Sequence, residues 1–209
     1  MTRNVGIYIF DEIEVLDLGG PFEVFSTASR MKARLQPGAA KPFEVFTVAD
    51  MVRPVRARGG LMVQPGFDIA CHPAIDLFIV PGGVVTAELK RDAIIEWIAR
   101  TAARSTITAS VCTGAFLLGK AGLLRGKTIT THWEDIDDFR SMFPDIPVQG
   151  DRRWVDEGAI VTSAGISAGL DMSLHLVARL EGEELAVRTA RQMDYDWQRS
   201  RSAGSGRAE

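Results

Sequence analysis

The residues best suited to chemistry lie in Thr106–Gly119, TITASVCTGAFLLG. An apolar, β-branched run stops at Cys112, and a run of small, helix-forming residues begins directly after it. A side chain at such a strand-to-helix turn stands above the sheet, with its sulfur over the N-terminus of the helix. The partial positive charge at a helix N-terminus favours thiolate, which predicts a depressed pKa for Cys112. We therefore interpret Cys112 as a nucleophile on a nucleophile elbow.

The second cysteine has no such context. Cys71 lies beside His72 and Pro73, with no organised partners nearby in the sequence. Isolated free cysteines are usually buried and pack as small hydrophobes, so we expect Cys71 to be a buried structural residue. Two cysteines without a disulfide framework fit a reducing compartment and predict a cytoplasmic protein.

The elements that must position Cys112 alternate along the chain. Apolar runs of strand length alternate with longer runs of helical period, which predicts an α/β domain on a mostly parallel sheet. The predicted strands are Asn4–Phe10, Phe43–Ala49, Ile75–Val80, Thr106–Val111 and Ala159–Ser163. The predicted helices are Pro21–Arg30, Thr86–Arg104, Thr113–Gly122, His132–Phe143, Ile166–Leu180 and Glu183–Gln198. Arg53–Gln64, which is rich in Gly and Arg, predicts a hairpin or a loop insertion.

Four segments follow strands and therefore lie where an open parallel sheet binds ligands. They are Asp11–Pro21, Pro81–Gly83, Cys112–Gly114 and Ala164–Gly169. Gly82 and Gly83 either present backbone N–H groups as half of an oxyanion hole or form an ordinary tight turn. AGISAG at Ala164–Gly169 is a ligand-facing turn or a site of close helix–sheet packing, and composition favours packing.

Composition limits the classes of function. The chain has 209 residues, 46% of them hydrophobic, and a formal net charge of -3 with interspersed signs. This predicts one domain over residues 1–199, followed by a flexible tail over 200–209. We expect no nucleic-acid partner, because no basic face is evident, and no membrane span or export leader. The sequence contains no His/Cys cluster of the kind that binds a metal ion, so we expect no metal site.

Several motifs resemble the ThiJ/PfpI superfamily of class I glutamine amidotransferase-like proteins. They are VLDLGGPFEVF at Val15–Phe25, DLFIVPGG at Asp76–Gly83, SVCTGAFLLGKAGLLRGKTITTHW at Ser110–Trp133 and VTSAGISAGLDMSLHLV at Val161–Val177. They cover nearly the whole chain in the family's order. The resemblance implies a flavodoxin-like or Rossmann-like three-layer α/β/α sandwich with a cysteine nucleophile elbow.

The resemblance also implies roles for individual residues. It makes Cys112 the nucleophile and Asp17 its carboxyl partner, although Glu12 and Glu14 are nearby competitors and Asp17 could instead cap a helix before Pro21. Thr113 stands where protease-like members have histidine, which disfavours a Cys–His dyad; its N–H would polarise a bound group, and its hydroxyl would donate to the sulfur or to Asp17. Gly82, Gly83 and Gly114 are expected to bind substrate or an oxyanion. His132, in TTHW, is expected to support the site from its edge.

Two branches of the family share these motifs. One is similar to bacterial isocyanide hydratases, which add water to an isocyanide to give an N-substituted formamide. The other is the ligand-sensing half of AraC-type activators, so a stand-alone ligand or oxidation sensor is the main alternative. Glyoxalase-like activity on small carbonyls is a third. The resemblance further implies a small-molecule substrate, no cofactor, and a homodimer in which the helix with Phe22 and Phe25 lies at the interface.

Overall fold

The computed structural model describes residues 1–199, and its centre is a mixed sheet whose strands are mostly parallel. The nine strands are β1 Arg3–Tyr8, β2 Phe43–Ala49, β3 Val55–Arg56, β4 Met62–Val63, β5 Phe67–Asp68, β6 Leu77–Val80, β7 Ile107–Val111, β8 Trp154–Asp156 and β9 Ile160–Ser163. Seven of them form one sheet in the order β5-β2-β1-β6-β7-β9-β8. All neighbours in this sheet are parallel except β8, which runs antiparallel to β9.

Residues 1–199 contain six α-helices, which lie around the sheet. They are α1 Val15–Leu35, α2 Asp92–Ala102, α3 Gly114–Lys120, α4 Ile136–Met142, α5 Ala168–Glu181 and α6 Glu183–Gln192. Helices α1, α5 and α6 pack on one another, and α2 packs on α3. The predicted α/β/α sandwich is confirmed. The central strands β6 and β7 are buried along their whole length, because each lies under helices on both faces.

The five long strands appear where the sequence predicted them, within two residues at each end. The short strands β5 and β8 were not predicted, because two or three residues are too few to show alternation. Arg53–Gln64 contains an antiparallel hairpin formed by β3 and β4, which settles the two interpretations of that segment.

The largest difference lies in α1, which begins at Val15 instead of Pro21. Proline is favoured at the first position of a helix, and this preference suggested the later start. Here Pro21 lies inside the helix, where it lacks only the N–H that would have bonded to the Asp17 carbonyl. Asp17 therefore lies in the first helical turn and is not the cap; the N-cap position is occupied by Glu14.

Three further predictions need correction. Cys71 is exposed and not buried. Phe25 is fully buried in the core, so Phe22 alone of the two phenylalanines adds apolar surface to α1. Helix α6 ends at Gln192, six residues before the predicted end, and Asp194 then adopts a φ of 47°. The tail predicted over 200–209 lies outside the described residues.

Candidate active site

Cys112 occupies a strained turn between β7 and α3. Its φ is 55°, in the left-handed region that L-residues with a Cβ enter at a cost of roughly 1–2 kcal/mol. Two neighbouring segments hold the turn in place: the Cys112 N–H donates to the Ser163 carbonyl at 3.2 Å, and the Thr131 hydroxyl donates to the Cys112 carbonyl at 2.9 Å. This geometry is the predicted nucleophile elbow.

Asp17 lies beside Cys112 and is completely buried. Its Oδ2 accepts a hydrogen bond from the Gly82 N–H at 3.0 Å. Its Oδ1 is also buried but has no hydrogen-bond partner among the described residues. A buried, unpaired carboxyl oxygen costs free energy unless it carries a proton or receives one from a bound molecule. Asp17 is therefore built to hold or accept a proton at Oδ1.

Burial shifts the ionisation of both groups. It raises the pKa of Asp17 to about 7, and the nearby Glu14 carboxylate adds to the rise, whereas the Gly82 N–H and Cys112 oppose it. Burial also raises the pKa of Cys112 to about 12, with a further contribution from the charge on Asp17. Because of this coupling, the pair at neutral pH carries at most one negative charge, and Asp17 carries it.

The depressed pKa that the sequence predicted for Cys112 is therefore wrong. The Thr113 N–H does donate to the sulfur and lowers its pKa, as expected at the start of a helix. However, α3 has only seven residues, and Cys112 is 6% exposed, with a carboxyl beside its sulfur. Desolvation and like charge outweigh the dipole.

The Thr113 hydroxyl has a second role beyond the one expected at the sulfur. The hydroxyl donates to the Gly83 carbonyl at 2.8 Å and accepts from the Gly83 N–H at 2.9 Å. The hydroxyl thus bonds Gly83 and not Asp17, and it also helps to lower the pKa of Cys112, as expected of a donor beside the sulfur. This reciprocal pair fixes the loop after β6 against the elbow, and the Thr113 backbone N–H remains the group that faces the sulfur.

Gly82 and Gly83 support the site without acting as free donors, and Gly82 and Gly114 allow close packing around it. The N–H groups of Gly82 and Gly83 are already bonded to Asp17 and Thr113, so the oxyanion role expected of them is not seen. A Cβ on Gly82 would lie 2.6 Å from the Thr113 nitrogen and 2.9 Å from Asp17 Oδ2. A Cβ on Gly114 would lie 2.1 Å from the Val80 carbonyl oxygen. Gly82 thus allows the close approach of Asp17 to Thr113, and Gly114 allows α3 to pack on β6.

A cavity of about 710 Å³ opens over Cys112. Four of the predicted site residues line it, namely Gly83, Cys112, Thr113 and His132. Asp17, Gly82 and Gly114 lie behind this surface. The other lining residues are Glu14, Arg58, Val84, Val85, Thr86, Leu89, Phe116, Glu134, Asp135, Asp138, Ser141, Met142 and Ile166.

Sequence reasoning missed most of this wall. Asp135, Asp138 and Met142 recur at helical spacing on one face of α4 and its preceding turn, a signal present in the sequence but carrying no indication of a cavity. Leu89 was assigned to a purely structural helix, and the AGISAG segment was attributed to packing. In the structure Ile166 of that segment lines the cavity, and Gly165 packs against the His132 ring.

His132 forms a pair with Asp135, whose Oδ2 lies 3.0 Å from His132 Nδ1. The ring also lines the cavity. No hydrogen bond joins His132 to Cys112 within residues 1–199. The thiol is therefore paired with a carboxyl and not with an imidazole, as the threonine at position 113 implied.

Within residues 1–199, no group of three or more His, Cys, Asp or Glu side chains could hold a metal ion. Over the same range, no helix has the length and apolar character needed to cross a bilayer.

Comparisons with known proteins agree with the geometry. Residues 3–179 match the model of the DJ-1/PfpI family. The chain is 33% identical over 196 residues to isonitrile hydratase of Pseudomonas putida, which covers 93% of this chain and 79% of that protein. It is 27% identical over 194 residues to the HTH-type transcriptional regulator GbdR of Pseudomonas aeruginosa, covering 93% of this chain and about half, 51%, of the regulator.

A solved structure supports the same assignment. The fold matches a ThiJ/PfpI family protein from Pseudomonas syringae with a TM-score of 0.82 and 28% identity, over 98% of this chain and 80% of that one. The family match spans the elbow, the Asp17 helix and the loop after β6 together. The chain belongs to the DJ-1/PfpI family.

Proposed function

We propose that the protein is a cofactor-independent enzyme that hydrates isocyanides to N-substituted formamides, with Cys112 as nucleophile and Asp17 as proton carrier. One observation carries the proposal: a fully buried carboxyl with a pKa of about 7 and an unpaired oxygen lies beside a thiol held on a strained elbow. General acid–base catalysis is most effective when the pKa of the catalytic group lies near the working pH.

The first step adds the thiol across the terminal carbon of the isocyanide. Asp17 takes the proton from Cys112 as the sulfur attacks this electrophilic carbon, and then gives the proton to the same carbon. The product is a thioimidate, R–N=CH–S–Cys112. The thiol starts protonated, because its pKa is raised, so the reaction needs a base within reach, and Asp17 is that base.

The second step is hydrolysis of the thioimidate. Water attacks the carbon while Asp17 accepts one of its protons and returns a proton to the substrate nitrogen. The carbon–sulfur bond then breaks as the hydroxyl group of the tetrahedral intermediate gives its proton, through Asp17, to the sulfur, and the formamide R–NH–CHO leaves. The Thr113 N–H, which faces the sulfur, stabilises negative charge on it in both steps.

The match to isonitrile hydratase supports this proposal. The site also disfavours two alternatives. A protease-like mechanism would require a histidine on the thiol, and the sulfur has none within residues 1–199. An oxidation sensor requires a thiol that ionises readily near neutral pH, whereas burial and the charge on Asp17 raise the pKa of Cys112.

The second candidate is a sensor that binds a small molecule without turning it over. The GbdR match favours it, because it covers 93% of this chain but only about half of the regulator. Such a sensor would need the cavity but not the proton carrier. The role of Asp17 therefore separates the two functions.

The test measures hydration of small alkyl and aryl isocyanides by wild type, Cys112→Ala, Asp17→Asn and Glu12→Gln. We expect turnover by wild type, none by Cys112→Ala, and a loss of roughly a hundredfold to ten-thousandfold in kcat for Asp17→Asn. Glu12, an exposed acid on the same loop, is the matched control and should leave the rate unchanged. Binding without turnover in wild type would overturn the enzyme in favour of the sensor, and full activity in Asp17→Asn would overturn the role of Asp17 as proton carrier.

A further inference from the structure

The cavity over Cys112 is strongly acidic. Its charged lining consists of four carboxylates and one guanidinium: Glu14, Glu134, Asp135, Asp138 and Arg58. The molecule as a whole has a formal net charge of only -3 over 209 residues. The negative charge is thus concentrated at the place where a ligand would bind.

The partners of these carboxylates leave part of the charge uncompensated. Arg58 pairs with Glu14 at 3.4 Å, and His132 pairs with Asp135 at 3.0 Å. Glu134 lies 4.0 Å from the same histidine nitrogen and is 63% exposed. Asp138 forms no ion pair with any residue in 1–199, although it lies on the same helical face as Asp135. A ligand in the cavity therefore meets at least one free carboxylate.

The carboxylates of the cavity wall also raise the pKa values of the reacting groups, Asp17 and Cys112. After burial, Glu14 is the next cause of the raised pKa of Asp17, and Asp135 adds to the rise at Cys112 that burial and Asp17 produce. Independently, the buried Oδ1 of Asp17 has no donor among the described residues. The charged groups that line the cavity therefore carry an excess of negative charge, and a further carboxyl, Asp17, lies directly behind Cys112.

The arrangement does not suit a metal ion. The carboxylates do not converge into a metal site within residues 1–199. Much of the rest of the wall is apolar and includes Val85, Leu89, Phe116, Met142 and Ile166, beside the hydroxyl groups of Thr86 and Ser141. An acidic rim over apolar walls fits an ammonium group carried on a hydrocarbon body, because a bulky cation keeps its charge near carboxylates while its carbon atoms leave water.

We propose that the ligand of this cavity is a small organic cation, an amine or a quaternary ammonium with an apolar body. Combined with the proposed function, on which this extension rests, the substrate is an isocyanide that carries such a cationic group. Asp138 and Glu134 receive the cation, and the apolar wall holds the body over Cys112. Anionic molecules are excluded by the same charges.

The test uses Cys112 itself as a probe of the field and requires no hydration activity. Methanethiosulfonates of matched size carry a trimethylammonium or a sulfonate group. In each case the cysteine sulfur forms a mixed disulfide, methanesulfinate leaves, and the thiol proton passes to the solvent. The rates at Cys112 and at the exposed Cys71 are followed separately by mass spectrometry of their peptides, so that Cys71 corrects for the intrinsic difference between the reagents.

We expect the cation-to-anion rate ratio at Cys112 to exceed that at Cys71 by about tenfold or more at low salt, and to fall as salt is added. Asp138→Asn and Glu134→Gln should each reduce the ratio severalfold. Asp137→Asn is the matched control: Asp137 adjoins Asp138 on α4 but is 93% exposed, pairs with Arg140 and does not line the cavity. Equal ratios at the two cysteines, or the same loss in all three variants, would overturn the proposal.

A second arm separates this inference from the enzyme itself. An isocyanide bearing a trimethylammonium group is compared with its neutral tert-butyl isostere. A higher kcat/KM for the cation, reduced by Asp138→Asn, supports the inference. Equal hydration of both compounds would overturn the cation preference and leave the hydratase standing. A high thiosulfonate ratio without hydration of either compound would leave the cation site standing and overturn the hydratase.

Discussion

At the scale of single residues, the site depends on Asp17 more than on the cysteine. A thiol at a strand-to-helix turn is visible in the sequence, because the change from β-branched to small residues marks the turn. The identity of its partner was visible only through resemblance, since Glu12, Glu14 and Asp17 lie on one short segment. Burial separates them: Asp17 is completely buried, whereas Glu12 is exposed.

Asp17 should also make the stability of the fold depend on pH. Its pKa is about 7 in the folded protein against 3.8 ordinarily, so the folded state binds the extra proton. Its stabilising contribution is complete below pH 3.8 and is lost as the pH rises through 7. Asp17→Asn should therefore gain stability relative to wild type across that window, by up to about 4 kcal/mol.

Urea unfolding of wild type and Asp17→Asn at pH 4, 5.5, 7 and 8 measures this directly. The Cys112→Ala background repeats the series without the neighbouring thiol. A constant difference between the two proteins at all four pH values would show that Asp17 is not protonated in the fold.

At the scale of elements, the sequence predicted the long strands but not the start of α1 or the wall of the cavity. Hydrophobic period identifies a strand or a helix, whereas the lining of a cavity depends on which faces meet after the chain has folded. The face of α4 with Asp135 and Asp138 is polar by composition, and polar faces usually meet solvent. Only the placement of α4 opposite the elbow gives these residues a shared surface.

Two helical glycines, one in α1 and one in α3, offer a matched pair of substitutions. A Cβ at Gly19 would meet no atom within 4 Å, whereas a Cβ at Gly114 in α3 would overlap the Val80 carbonyl oxygen. Gly19→Ala should stabilise the protein by about 0.5–1 kcal/mol, because alanine loses less backbone entropy in a helix. Gly114→Ala should destabilise it and displace the elbow. In thermal unfolding, Gly19→Ala should raise the midpoint temperature and Gly114→Ala should lower it. Shifts of the same sign would contradict the packing described for α3.

At the scale of the whole molecule, exposed apolar side chains lie on α1 and on the β3–β4 hairpin, the two elements that flank Glu14 and Arg58 of the cavity wall. Leu16 is 40% exposed and Phe22 38% exposed on α1, and Leu61 and Met62 are more than half exposed on the β3–β4 hairpin. The hairpin is tied to the start of α1, because the Arg58 N–H donates to the Ile13 carbonyl at 2.9 Å. Large contiguous apolar patches mark interfaces, so this surface supports the expected homodimer.

We predict a dimer in solution that buries this surface. Light scattering at micromolar concentration should give twice the chain mass of 22.8 kDa. Phe22→Glu should shift the mass to that of the monomer, while Val187→Glu, an exposed apolar residue on α6, should not. A monomeric wild type would contradict the prediction.

The left-handed backbone at Cys112 costs stability, because the proposed reaction needs a side chain with a Cβ at a position that glycine would occupy without strain. Glycine tolerates a φ of 55° without strain, so Cys112→Gly should be as stable as Cys112→Ala or more stable by about 1 kcal/mol, reversing the usual order of these two residues. Chemical denaturation of the two variants tests this, and a clearly more stable alanine variant would contradict it. Descendants of this chain that no longer need the thiol should therefore drift toward glycine at this position, leaving an intact fold whose missing sulfur records the loss of the reaction.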